Sequence, residues 1–314
     1  MYPDSTLLKI AELHYVERLS QAEISTALGV SRSTASRMLQ EALDRGIIQV
    51  SINDPVRRDR ALERGLEKAY GLEQAVVAGV ESGDESLHKI LGKKAAAFLP
   101  EIFPRCRAMG LGCGVTVHEA VASLAPAPEW PRLQLVAMMG GWGVRAMERD
   151  TNRLIAEMGR KLRCNFHYLL LPALASSEEV LHLFLREPQI RLSVDLWETL
   201  DAALFSIGPE VSAANFAYLP TAGGELDEAR ARGGVGDILG RIIDAEGEEL
   251  DIRFNRCLSS IPLRTLRAVP LRIGVGGGRA KVECVRAAIS SGLANVLVTD
   301  GDTARALLAA EKLP

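Results

Sequence analysis

Five stretches of the chain place glycine where a strand pattern ends, four of them beside a hydroxyl or charged group. They are Gly110-Leu111-Gly112-Cys113-Gly114-Val115-Thr116, Met139-Gly140-Gly141-Trp142-Gly143, Gly233-Gly234-Val235-Gly236-Asp237, Gly276-Gly277-Gly278-Arg279-Ala280-Lys281 and Thr299-Asp300-Gly301. Glycine lets backbone amides approach a ligand closely, and a following helix N-terminus favours negative charge. Thr116 adds a hydroxyl donor to the first stretch. Thr151 and Asn152 open the helix pattern after the second. Trp142 suits either a sugar face or the cover of a core. Asp237 suits sugar hydroxyls, or its own turn. Lys281, in the first turn of a helix, suits an anion, or solvent. The chemistry implied is capture of a small polar or anionic molecule.

Catalytic signatures are weaker. There is no GxSxG elbow and no HExxH pair, and His88, His118, His167 and His182 lack evident triad partners. No Gly-Lys-Ser/Thr follows the first loop, and GxGxxG is not met, so no cofactor is expected. Asp237, Asp300 and Glu119 form a conceivable acid/base set for sugar isomerisation. An isomerase-like or deaminase-like enzyme with an appended helical domain is therefore the alternative reading.

A second chemistry lies near the start, in SQAEISTALGVSRSTASRMLQEALDRG, Ser20 to Gly46. Ser20 and Glu23 form a capping box. Ile24, Ala27 and Leu28 line one face, and Gly29 permits a sharp turn. Ser31 restarts a helix whose inward face is Ala35, Met38, Leu39, Ala42 and Leu43. Its outward stripe, Arg32, Ser33, Ser36, Arg37 and Gln40, holds two guanidiniums and no acid. That composition suits a recognition helix in a DNA groove. The expected contact set is Gln21, Ser31, Arg32, Ser33, Thr34, Ser36 and Arg37. An ordinary helical hairpin with a solvated face is the bland alternative.

These sites need scaffolds. With 314 residues, 47% hydrophobic and 25% charged, the chain has material for about two domains. Its net charge is −3, and residues 1 to 60 carry eight basic and eight acidic groups, so a DNA footprint must be local. Five dispersed cysteines without a CxxC pair argue against a disulfide framework or zinc site. No leader or membrane span is expected, and the default location is cytoplasmic.

The helix pattern of residues 5 to 17, with Leu7, Leu8, Ala11, His14 and Tyr15 on one side, is expected to brace the hairpin. Ile47 to Ile52 alternates and reads as a wing strand, and Asn53-Asp54-Pro55 marks a boundary. Residues 55–70 read as a charged connector or short dimerising helix, interrupted by Gly65. From residue 71 to 314 strands and helices alternate, which predicts a mainly parallel, doubly wound sheet. Its strand candidates are 75–80, 108–112, 133–139, 166–171, 202–207, 272–275 and 296–299. The fold class expected is α/β: a winged helix-turn-helix domain over 1–54 and a larger Rossmann-like domain.

Three stretches resemble the SorC family of sugar-sensing bacterial transcriptional regulators, whose reading head is DeoR-like. They are the head just quoted, GGVGDILGRIIDAEGEELD followed by Asn255-Arg256, and GVGGGRAKVECVRAAISSGLANVLVTDGDTARALL. The resemblance spans almost the whole chain. It implies an effector domain with the fold of sugar-phosphate isomerases and deaminases, turned from catalyst to sensor. It implies operator DNA, a sugar, polyol or sugar-phosphate effector, and homo-oligomers, dimeric or tetrameric, with no membrane. The ligand contacts implied are Thr116 with Gly112 and Gly114, Gly140, Gly141, Asp237 and Lys281. Asn152, Gly277 and Asp300 join them as strand-end residues. The family's first loop commonly reads Ser-x-Gly-(Arg/Lys)-Thr. Here Cys113 precedes Gly114, Val115 replaces the basic residue, and Trp142 is bulky. A neutral sugar or polyol therefore stands beside a phosphorylated one.

Overall fold

The structure, a computed structural model, describes residues 2–48, 58–79, 85–126, 129–143, 150–208 and 222–311. The chain divides into two compact units, Met1–Pro55 and Val56–Pro314.

The first unit packs α1 (Asp4–Ala11) and α2 (Gln21–Leu28) against α3 (Arg32–Asp44). Its core is Leu7, Ile10, Ile24, Ala35, Met38, Leu39 and Ala42. The capping box forms in full, with the Ser20 hydroxyl accepting from Glu23 N and the Glu23 carboxylate accepting from Ser20 N. Gly29 ends α2 at φ 64°, where a side chain would be strained. Three inward assignments change. Helix α1 stops at Ala11 and runs into a wider π-turn, Glu12–Val16. The buried face of α1 is Leu7, Ile10 and Ala11, so Leu8 lies outside it and is exposed, as is Tyr15 on the π-turn. Ala27 is also exposed. His14 Nδ1 donates to Leu19 O, a structural role. Of the expected wing, Ile47 and Ile48 form a bend partly packed on the head core, and residues 49–52 lie outside the described residues.

The second unit begins with Arg58 and α4 (Arg60–Tyr70) and continues β1 (Gln74–Ala78), α5 (Leu87–Ile102), β2 (Ala108–Leu111), α6 (Val115–Ser123), β3 (Gln134–Ala137). Next come α7 (Thr151–Leu162), β4 (Asn165–His167), α8 (Glu178–Arg186), α9 (Pro188–Val194), β5 (Ala202–Ser206) and α10 (Ala222–Ala231). Then follow β6 (Gly236–Ile238), β7 (Arg241–Ile243), α11 (Arg253–Arg256), α12 (Leu263–Ala268), β8 (Leu271–Val275), α13 (Val282–Ser290), β9 (Val296–Asp300) and α14 (Gly301–Ala310).

Seven strands form one sheet, ordered β1-β9-β8-β5-β2-β3-β4, and every pairing in it is parallel. Its central strands are buried on successive residues, so both faces are covered. From β2 the chain winds outward through β3 to β4. It then returns to β5, on the other side of β2, and winds out through β8 to β9. The winding reverses between β2 and β5, and ligands in such sheets bind beyond the strand ends at that point.

The helix expected as a connector belongs to this unit. Helix α4 runs through Gly65 without a break and packs on β1 and α14. Gly65 sits where a Cβ would lie 3.0 Å from Leu308 Cδ1, so the glycine permits close packing. Leu66 is fully buried. Strand β1 is the rim of the sheet, and α4 covers its open side. Val77 N donates to Glu63 Oε1 and Ala75 N to Glu67 Oε1, each at 2.9 Å. Arg58 Nη2 donates to Ala75 O and Asp59 N to Val77 O, also each at 2.9 Å. Arg58 and Glu63 pair at 2.6 Å with both side chains buried.

Two other expectations change. The strand expected over 166–171 stops at His167. Beyond it the Asn152 amide takes the backbone of Leu169, accepting from its N–H at 2.9 Å and donating to its carbonyl at 3.0 Å. That side chain replaces a strand partner. The glycine loop read around Asp237 is instead the antiparallel hairpin β6–β7. Its turn, Leu239-Gly240, has φ of 54° and 80°, the two positive values of a type I′ turn. Leucine is an unusual first residue there, so the usual Asn-Gly or Asp-Gly signal is missing.

Candidate functional site

On the head, Ser31 caps α3, accepting from Thr34 N at 3.1 Å, and its hydroxyl also meets those of Ser33 and Thr34. Ser31 and Thr34 thus serve the helix start. Arg32, Ser33, Ser36, Arg37 and Gln40 are exposed, and Gln21 is half-buried. Arg32 makes no ion pair among the described residues, and Arg37 only donates to Ser33 O at 3.4 Å. Two guanidiniums are left for an outside partner.

In the second unit, four strand ends converge at the β2/β5 reversal. Lys281, nearly buried, reaches across and donates its ammonium to Ile207 O at 2.8 Å. Gly208 N donates to Asp237 O at 2.8 Å, which docks the hairpin on the end of β5. Gly208 must be glycine, because a Cβ there would sit 1.8 Å from Asp237 Oδ1. Asp237 Oδ2 accepts from Gly240 N at 2.9 Å. The hairpin also presses on the first glycine loop: a Cβ on Gly112 would lie 2.4 Å from Leu239 Cδ2. Gly114, at φ 119°, faces the Ser206 hydroxyl, and a Cβ there would lie 2.5 Å from it. Helix α6 starts at this loop without a side-chain cap. Trp142 donates its indole N–H to Cys113 Sγ at 3.4 Å and lies over Gly240, so one ring touches two of the loops.

The remaining expected residues have other duties. Thr116 is buried, and its hydroxyl meets His88 Nδ1 at 3.1 Å. Asp300 caps α14 through Oδ1, and its Oδ2 accepts from Gly278 N at 2.9 Å and from the Thr303 hydroxyl. Gly277 lets that carboxylate approach, since a Cβ would lie 2.2 Å from Oδ2. Asp300 therefore shapes the glycine loop that leads to Lys281. Gly140 N donates to Ser259 O and Gly141 N to Leu171 O, so both amides are taken. These two glycines allow chain crossing, because a Cβ on Gly140 would meet Leu171 O at 2.6 Å. Asn152 holds Leu169, as described. Of the conceivable acid/base set, Asp300 is engaged in the bonds just described, and Glu119 packs on Gly92 between α5 and α6.

One residue escaped the sequence reading. Ser206 ends β5 with its hydroxyl oxygen buried and unpartnered. His88, weighed from the sequence only as a triad member, instead meets Thr116. The signal for Ser206 was its place, directly before Ile207-Gly208-Pro209 at a strand end.

Asp237 and Lys281 each favour the other's charged form against the cost of burial. Burial raises the Asp237 carboxyl from its ordinary range to about 6, against the pull of Gly240 N–H and Lys281. Burial likewise lowers the Lys281 ammonium, and Asp237 partly restores it. Burial pushes the Cys113 thiol up to about 12, so it is no nucleophile at neutral pH. A carboxyl raised on folding costs nothing below its unfolded pKa and costs most above its folded one. Asp237→Asn is therefore expected to gain stability relative to the native protein between about pH 4 and 7. The upper limit is about 3 kcal/mol. Loss of the anion beside Lys281 trims this gain without changing its sign. Thermal melts of both proteins across that range check it, and a pH-independent difference would contradict it.

A helix-turn-helix head followed by a doubly wound sheet with charged groups at its reversal point is the build of a ligand-responsive transcriptional regulator. Comparison with known proteins narrows the class. A family described as "Winged helix-turn-helix DNA-binding" matches residues 14–49, and one described as "Putative sugar-binding domain" matches 54–309. The chain belongs to the SorC family of sugar-binding transcriptional regulators. It is 30% identical to the transcriptional regulator LsrR of Escherichia coli over 314 residues, 98% of this chain and 96% of that one. It is 28% identical to the deoxyribonucleoside regulator of Bacillus subtilis, covering 96% of each. The crystal structure of the full-length sorbitol operon regulator SorC of Klebsiella pneumoniae matches with a TM-score of 0.74 and 28% identity. That match covers 97% of this chain and 99% of that one. No helix among the described residues is long and apolar enough to cross a membrane.

Proposed function

We propose that the chain regulates a carbohydrate catabolic operon from the cytoplasm, releasing or engaging operator DNA according to a sugar, polyol or sugar-phosphate effector. It acts as a sensor and not as an enzyme, and at least two copies act together, since paired heads read paired half-sites. The observation that carries this reading is the Asp237–Lys281 pair at the β2/β5 reversal. It brings an acceptor for hydroxyls and a cation to the same strand ends. Thr116, Gly112, Gly114 and the Trp142 ring complete the proposed site. Relatives named for sorbitol and deoxyribonucleosides support a carbohydrate as the effector class.

The reading is tested by selecting genomic DNA fragments on the purified protein. Fragments recovered specifically, and lost or gained with one member of a panel of sugars, polyols and their phosphates, are expected. Turnover of any member, or no specific fragment, would overturn it. Arg32→Ala with Arg37→Ala is expected to weaken binding to the selected fragment. An arginine reading guanine is worth about 1–3 kcal/mol at its base pair, whereas a phosphate contact lowers the salt slope by about one unit. Fluorescence anisotropy at several salt concentrations separates the two, and unchanged affinity would refute this docking face.

A further inference from the structure

A cavity of about 380 Å³ opens in the second unit and shares no lining residue with the strand-end site. Helix α8 and the turn after α9 form one wall, and the segment from β7 to α12 forms the other. The volume is that of a small-metabolite site. Twelve polar or charged residues are buried among the described residues. Five of them, Arg241, Asn255, Ser259, Ser260 and Thr265, line this one cavity. Their bonds are made within the protein. Arg241 donates through Nε to Ile261 O at 2.9 Å and through Nη2 to Ser260 O at 2.6 Å, and it pairs with Glu249. The Asn255 amide holds both the N–H and the carbonyl of Ile242, each at 2.9 Å. The floor is thus fixed before a ligand arrives, which lowers the cost of binding one.

Apart from His182, the ionisable lining balances. Three guanidiniums, of Arg241, Arg256 and Arg264, stand against three carboxylates, of Asp195, Glu198 and Glu249. Most are engaged: Arg241 with Glu249, Arg256 with Asp251 and Glu178, and Asp195 with Arg191. Two charges are left over among the described residues. Arg264 joins no ion pair there, and Glu198 meets only the Thr265 hydroxyl, at 3.3 Å. Thr265 follows Arg264 directly, so both charges belong to one rim. Much of the remaining lining is apolar, with Leu181, Leu185, Val194 and Leu258. A spare cation, a spare anion and an apolar wall complement a small zwitterion that carries an apolar group. A phosphate would meet as many carboxylates as guanidiniums.

We propose that this cavity is a second ligand site and takes an apolar α-amino acid. The ligand's carboxylate accepts from the Arg264 guanidinium, its ammonium donates to the Glu198 carboxylate, and its side chain lies on the leucine wall. Charge-assisted bonds fix the two polar ends. Strand β7, which carries Arg241, pairs with β6, which carries Asp237, so one hairpin backs both sites. The inference does not depend on what the strand-end site binds.

Calorimetric titration of the full chain with L-leucine, L-methionine and L-phenylalanine is the test. At least one is expected to bind once per chain at millimolar concentration or below. Isopentylamine and 4-methylpentanoate, which are leucine without its carboxylate and without its ammonium, are expected not to bind. Arg264→Ala and Glu198→Gln are each expected to weaken binding about ten-fold or more, since each loses a hydrogen bond between charged groups. Both side chains are exposed, and an unchanged thermal melt without ligand checks that each variant is folded. The native protein with the two analogues decides the question even where a variant fails to fold. No binding of any of the three amino acids, equal binding of either analogue, or unchanged affinity in either folded variant would overturn the site. A crystal structure of the complex with the amino acid outside this cavity would do the same.

Discussion

Lys281→Ala is expected to abolish the response to the effector while the protein still binds its operator. The ammonium is nearly buried, donates to Ile207 O and faces the Asp237 carboxylate. Removing it takes away a charge-assisted donor and leaves Asp237 in the recess without its cation. A hydrogen bond to a charged group is worth about 1.5–3 kcal/mol, or at least about ten-fold in effector affinity. A phosphorylated effector loses its counter-charge as well and falls at the upper end of that range. A neutral polyol falls at the lower end, and for it Asp237→Ala is the more damaging change, since hydroxyls need the acceptor. Calorimetric titration of both variants with a sugar and its phosphate separates the cases. Unchanged effector affinity in both variants would show that the recess is not the binding site.

Gly92→Ala is expected to lower the melting temperature by roughly 5–15 °C. Helices α5 and α6 pass so closely at this point that a Cβ would lie 2.4 Å from Glu119 Cβ. It would also lie 2.7 Å from Glu119 C and 2.8 Å from Ala120 N. Backbone atoms cannot swing aside as a side-chain tip can. Separating the helices loosens packing along both, at about 2–4 kcal/mol. Differential scanning calorimetry measures this directly. An unchanged transition would mean that the two helices slide apart freely.

The sequence carried the head almost completely, because its signals are local. A capping box, a glycine turn and a second cap act within a few residues of each other, and each forms as spacing predicts. The parallel sheet was legible for the same reason: short apolar strands alternate with amphipathic helices. What escaped depends on partners distant in sequence. Strand β4 ends early because Asn152 takes up Leu169. The β6–β7 hairpin turns on a leucine in left-handed geometry, held by Asp237 and by packing into the space that Gly112 leaves. Glycine patterns marked where the chain comes close to something, but not to what. At Gly114 the neighbour is Ser206, whereas at Gly140 it is the chain's own carbonyls. Asp237 and Lys281 were legible as types, and their pairing across the recess was not.

The covered rim at β1 bears on how this protein avoids disorderly growth. A sheet rim normally offers alternating donors and acceptors that any extended peptide can zip onto, and fibres grow by that route. Here Glu63 and Glu67 occupy the donors of Val77 and Ala75, while Arg58 and Asp59 occupy the matching carbonyls. The side chains of Arg58, Glu63 and Glu67, with the single backbone N–H of Asp59, stand in for a missing strand. On this side the sheet has a terminus rather than a template. Glutamate at positions 63 and 67 thus acts as insurance against polymerisation, a duty quite apart from sensing sugar or touching DNA.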